Sequence, residues 1–244
     1  MAVLIPSQLP RRLLKPLEKP YKPPMTMVVN LRCSNGIVLC ADQQITKPGG
    51  HKYYEKKITS ETISGREVVF AYSGLPSLAL EAREKITKKL SQIYLSEEHL
   101  YEIADDVFTN MGRLYADMEL QMFISSPAIF EDPLSFKFDG KGLHKSENYS
   151  FLGAGDSSVI RYLVEMLYSP EMTVESGINL ALYLVQKAED YIDGCGGPID
   201  LGVMDWSDES CRMLPEDKIE GKLKAMEKQE ALLADLILKP PSSF

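Results

Sequence analysis

No apolar run in this sequence approaches the ~20 residues that a membrane-spanning helix needs, so nothing in it reads as a membrane protein. Histidine is scarce, occurring only at 51, 99 and 144, and the four cysteines stand at 33, 40, 195 and 211. Neither set has the spacing of metal ligands, so no metal and no cofactor is expected. Positive charge is in deficit too. The 27 Lys and Arg face 35 Asp and Glu, a formal net charge of −8 that argues against a nucleic-acid partner or an anionic membrane surface. Cys33 and Cys40 flank an apolar hairpin and read as small hydrophobes, which makes the reducing cytoplasm the simplest setting. A secretory leader is not expected either: the apolar stretch before Pro6 is too short, and Arg11-Arg12 follows it instead of preceding it.

What is present reads as one domain with two appendages. Residues 1–25 are proline-rich, with prolines at 16, 20, 23 and 24, and form an extended arm that is a solvated tail, an over-read start or a propeptide. Residues 26–215 carry no repeat or linker. Residues 216–244 are a charged helix and tail, Glu216–Leu238 setting lysines and glutamates around Ile219, Leu223, Met226, Leu232 and Leu236, either solvated or a subunit contact. Within the domain, Leu78, Ala82, Ile86, Leu90 and Ile93 recur at helical spacing behind Ser77 as a cap, and Leu100, Ile103, Val107, Met111 and Leu114 do the same. Met111 and Met118 belong to the core. A third helix over Val159–Tyr168 and a fourth capped by Thr173 are separated by short strands from the first pair. Gly153-Ala-Gly155 has no lysine nearby and is a close-approach turn, not a phosphate cradle. Alternating groups of strands and helices predict an α+β fold, a four-layer αββα sandwich of two antiparallel sheets.

The stretch Met25–Asp42 carries the chemistry. Two aliphatic strands meet at Ser34-Asn35-Gly36, where Asn-Gly is expected to supply the positive φ of a tight turn. The hairpin returns Asp42 towards Thr26, and Lys57 precedes the next apolar strand. A threonine hydroxyl needs a base, and no histidine falls where the hairpin would bring it close. A threonine that is itself N-terminal solves this, because a free α-amine titrates at about 7.7–8.0. Initiation at Met25 with methionine trimming, or self-cleavage after residue 25, would expose Thr26.

These residues resemble a known family. Thr26-Met-Val-Val, Asn35 to Asp42, Lys56-Lys57-Ile58, Phe70-Ala-Tyr-Ser-Gly74, Leu152-Gly-Ala-Gly155 and Gly196-Gly-Pro-Ile-Asp200 stand in the order seen in proteasome β-type subunits, over roughly residues 26–220. The resemblance implies an N-terminal-nucleophile hydrolase in which Thr26 attacks, Asp42 orients Lys57, and Lys57 lowers the pKa of amine and hydroxyl. It implies Ala71 as the oxyanion donor through its amide, and Ile45, Val69 and Ser73 as pocket residues favouring an uncharged side chain. Peptide or unfolded protein is the implied substrate, a ring of copies of this chain enclosing the sites the implied assembly, and an ATPase unfoldase a partner. The chain also departs from the pattern. Met25 replaces a glycine, Ala154 and Cys195 replace serines, and an expected aspartate falls on Ile192, with Asp193 one residue late. Two further readings therefore remain: a catalytically silent structural subunit, and a small-molecule amidase on the same scaffold.

Overall fold

The computed structural model describes residues 26–47, 50–115, 119–127, 134–207 and 210–238. The expected arm, the residue before Thr26, Met118 and the C-terminal tail beyond 238 lie outside them. Strands β1 (Met27–Cys33) and β2 (Gly36–Asp42) form the hairpin; β3 (Gln44–Thr46) and β4 (Lys52–Tyr54) make a small separate pair. Next come β5 (Ile58–Ile63), β6 (Arg66–Gly74), helices α1 (Pro76–Leu90) and α2 (Glu97–Leu114), and β7 (Leu120–Ser126) to β8 (Leu134–Phe138). The chain continues through β9 (Leu143–Lys145), β10 (Tyr149–Gly153), a 3-10 turn at Ala154–Asp156, α3 (Ser158–Leu167) and α4 (Val174–Tyr191). It closes with β11 (Ile199–Asp205), β12 (Arg212–Met213) and α5 (Glu216–Leu238).

Two antiparallel five-stranded sheets result, ordered β10-β1-β2-β11-β12 and β5-β6-β7-β8-β9. Val28, Leu39, Ala41, Ile58, Val69, Ala71 and Phe123 pack between them. Met27, Val29 and Leu31 point the other way, onto Ile178, Ala181 and Val185 of α4. Phe70, Met122 and Phe136 face Ile86, Leu100 and Val107 of α1 and α2. Each sheet is thus covered on both faces, which is why β1, β2 and β6 read as almost continuous apolar runs. The four-layer αββα arrangement expected from the sequence is the one observed.

Local details differ from expectation. The first hairpin turns through Ser34-Asn35 alone, because Cys33 pairs with Gly36, and Gly36 has no positive φ. Its glycine serves packing instead: a Cβ there would stand 2.4 Å from the Met204 carbonyl oxygen. The second hairpin does use left-handed residues, Ser64 and Gly65, with φ of 52° and 78°. Ser77 does not cap α1. Proline fits the first helical position, where its missing N–H costs no bond, so α1 starts at Pro76 with Leu75 before it and no side-chain cap. Thr173 does cap α4, accepting from the Ser176 amide at 3.4 Å. Strands β3, β4 and β9, of three residues each, are too short for a periodic signal. At residue 215 the packing is unbroken: Ile219 is buried in the α4 cluster, and Lys187 pairs with Glu230 at 2.9 Å.

Candidate active site

The antiparallel register of β1 and β2 sets Ala41 against Val28, so Asp42 comes to lie beside the first residues of β1. Its Oδ1 accepts the Met27 amide at 2.8 Å, and its Oδ2 accepts the amides of Gln44 at 3.2 Å and Gly196 at 3.1 Å. Thr26 is held from the other side, its carbonyl accepting the Ala154 amide at 2.8 Å. That approach depends on Gly153, whose φ is 65° and whose Cβ, were there one, would lie 1.9 Å from the Thr26 carbonyl oxygen and 2.6 Å from Ser73 Oγ. The close-approach turn expected at this glycine is what forms.

Lys57 completes the group. Its ammonium donates to Thr26 Oγ1 at 2.7 Å and to the Gln44 carbonyl at 2.7 Å, and stands 3.3 Å from Asp42 Oδ1. An ammonium has three protons, and here each faces an acceptor. The lysine is 0% exposed. Burial pushes the Lys57 pKa down, with the Asp42 charge opposing, and burial pushes the Asp42 carboxyl up, with the Lys57 charge opposing. Three backbone amides and the ammonium around Asp42 all favour its charged form, so the pair is ionised. With Lys57 donating to it, the Thr26 hydroxyl keeps its own proton free for a base, and charge that develops on Oγ meets a cation already in place.

The other expected site residues are placed unevenly. The Ala71 amide is turned away. Leu75 donates to the Glu119 carbonyl and Tyr72 to that of Lys57, so alternation along β6 aims the Ala71 amide at β7, opposite Phe123, and leaves it no oxyanion to bind. Val69 is wholly buried between the sheets. Ile45, beside Tyr53 on β3, and Ser73 are also buried, so none of the three presents open surface. Ala154 contributes its amide to Thr26 as described. Cys195 is buried near Asp42 and Lys57, and burial first, then the Asp42 charge, push its thiol up to about 12, leaving it neutral. Asp193 is exposed at the end of α4, and none of the hydrogen bonds to Thr26, Asp42 or Lys57 comes from it.

One residue escaped the sequence reading. Asp200 on β11 is buried, and its Oδ2 accepts the Lys57 amide at 2.6 Å and the Ile58 amide at 3.4 Å, while Oδ1 accepts from Gln43 Nε2 at 2.8 Å. Its only sequence signal was its place at the end of Gly196-Gly-Pro-Ile-Asp200. Gln44 Nε2 is buried without a hydrogen-bond partner. Among the described residues, no three His, Cys, Asp or Glu side chains are gathered to hold a metal, and no helix is long and apolar enough to cross a membrane.

A hydroxyl, an ammonium and a carboxylate at one end of a four-layer αββα sandwich place the chain in the N-terminal-nucleophile hydrolase class of folds. Solved structures agree. The Anbu ancestral β-subunit from Yersinia bercovieri superposes with a TM-score of 0.74 at 13% identity, covering 90% of this chain and 99% of that one. The helical assembly of the Anbu complex from Pseudomonas aeruginosa gives 0.71 at 14% identity, covering 90% and 98%. Residues 25–204 match the Proteasome subunit family, and the chain belongs to it. Among curated proteins it is similar to the proteasome subunit beta of Thermoplasma acidophilum, 22% identical over 82% of this chain and 94% of that one. It is 28% identical to proteasome subunit beta 1 of Pyrobaculum calidifontis over 75% of this chain and 92% of that one.

Proposed function

We propose that the chain is a threonine-type peptidase that cleaves peptide bonds with Thr26 as nucleophile. The observation that carries this is the buried Lys57 ammonium, 2.7 Å from Thr26 Oγ1 and backed by Asp42. Once the residues ahead of 26 are removed, the Thr26 α-amine takes the hydroxyl proton through a water, and Oγ attacks the peptide carbonyl. The tetrahedral intermediate collapses to an ester on Oγ as the leaving amine receives that proton. Water, deprotonated by the same α-amine, then releases the acid and restores the hydroxyl. Lys57 stays protonated throughout and stabilises negative charge on Oγ. Peptide and unfolded protein are the substrates that fit this chemistry. Assembly of copies into a closed ring, with an ATPase unfoldase feeding it, belongs to the same proposal.

The test is Thr26→Ala, which is expected to abolish cleavage of fluorogenic peptides and the mass shift produced by a peptide vinyl sulfone. Unchanged turnover would refute the mechanism. Native mass accompanies it: hundreds of kilodaltons fit a peptidase assembly, and a small oligomer fits the amidase reading. The side chain at 154 is a methyl and not a hydroxyl, and methionine precedes Thr26, which favours a second reading, a silent structural subunit. Intact mass decides between them, since a silent subunit keeps the residues ahead of Thr26 in the assembled protein.

A further inference from the structure

Lys57 is fixed at both ends. Its ammonium has Thr26, Gln44 and Asp42. Its backbone is held by Asp200, whose Oδ2 spans the two successive amides that open β5, at 2.6 Å and 3.4 Å. Among the described residues, no other hydrogen bond of the β5 backbone reaches the sheet that carries Thr26 and Asp42. The same carboxylate binds Gln43, the residue after Asp42, through Oδ1 at 2.8 Å, and Asp200 stands opposite Ala41, the residue before it. One side chain therefore ties the strand ends that supply the carboxylate and the lysine.

We propose that Asp200 is the positioning residue for the Thr26–Lys57 pair: by holding the Lys57 and Ile58 amides it sets where the lysine backbone starts, and so how closely Nζ approaches Thr26 Oγ1. The catalytic part of this rests on the reading of Thr26 as nucleophile; the geometric part does not. A lysine stem left to itself spreads over many rotamers, and a carboxylate 143 residues away in sequence removes that freedom at its root. Asp200 also places a negative charge near Lys57. Together with Asp42 on β2, it is among the groups that raise the lysine pKa against burial, while the Cys195 thiol in the loop after α4 stays protonated beside them.

The experiment compares the wild type with Asp200→Asn and Asp200→Ala, all as full chains. Asparagine keeps the size and one carbonyl acceptor for the amides but removes the charge; alanine removes both. Labelling by a peptide vinyl sulfone is expected to slow about 100-fold in Asp200→Ala, in the rate constant and not in the reversible affinity, with Asp200→Asn losing less. The alkaline limb of the rate profile is expected to move to lower pH in both, because a lysine with one anion fewer loses its proton sooner; a purely structural carboxylate would not move it. Crystal structures of both variants supply a readout independent of activity, namely whether Nζ has left hydrogen-bonding distance of Thr26 Oγ1. Labelling rates and pH limbs equal to wild type, or an undisplaced Nζ in Asp200→Ala, overturn the proposal. If the wild type is not labelled at all, the Thr26 reading fails, and the Nζ position alone then upholds or overturns the role of Asp200. Should the alanine variant not fold, the asparagine variant carries the pH limb and the Nζ position.

Discussion

Lys57→Met leaves a carboxylate in the core with its amide donors and without its cation. The methionine stem fills nearly the same volume, so the packing loss is small and the electrostatic loss dominates. At 3.3 Å, two unit charges with an effective dielectric of about 20 attract by about 5 kcal/mol, and breaking a buried pair by removing one partner commonly costs about 3–5 kcal/mol. Removing the stranded partner as well, in Lys57→Met/Asp42→Asn, is expected to recover at least about 1 kcal/mol of that, because the unpaired charge is gone. Burial already holds the Asp42 pKa up, and loss of the Lys57 charge, which pulls it down, raises it further. A carboxyl whose folded pKa exceeds its unfolded value of about 3.9 contributes stability below that value and loses it as pH rises through the folded pKa. The deficit of Lys57→Met relative to wild type should therefore shrink as pH falls towards 4. Urea denaturation at fixed protein concentration measures it, midpoint and slope together, at pH 7 and pH 4.5. A single-variant loss under about 1 kcal/mol, an additive double variant, or a deficit that grows on acidification would each show that this pair is not a buried ion pair.

Two further outcomes follow from the same geometry. Gly153→Ala forces a Cβ to within 1.9 Å of the Thr26 carbonyl oxygen at a φ of 65°, so it should lower stability by more than about 1 kcal/mol and slow vinyl sulfone labelling; a variant that melts and labels as wild type does would refute the close approach. Burial pushes the thiols of Cys33 up to about 11 and of Cys195 and Cys211 up to about 12, and Cys40 also up, so at pH 8 all are protonated and slow towards a disulfide reagent. Denaturant should release four fast-reacting thiols, and rapid reaction of Cys33, Cys40 or Cys195 in the folded protein would contradict their burial.

The proximity of Thr26 and Asp42 was legible because it is local: two aliphatic runs joined by a tight turn return to each other whatever the rest of the chain does. Helices α2 and α4 were equally legible from apolar spacing and, for α4, from its capping threonine. The first turn was legible in place and not in type, since Gly36 serves the close approach of β11 and not a left-handed conformation.

Local pattern determined the layers and the hairpin that returns Asp42 to Thr26, because period and turn chemistry act over a few residues; Lys57, next to Lys56, was singled out by the family resemblance. Only the tertiary structure decided that the Ala71 amide faces β7, since that direction depends on the register of a partner some fifty residues on. It also decided that Val69 lies between the sheets, because a strand covered on both faces has no polar side to reveal which way each residue points. And it alone put Asp200 beneath Lys57: a contact across 143 residues leaves no periodicity in the chain, and exists only when two sheets have closed over the same charge.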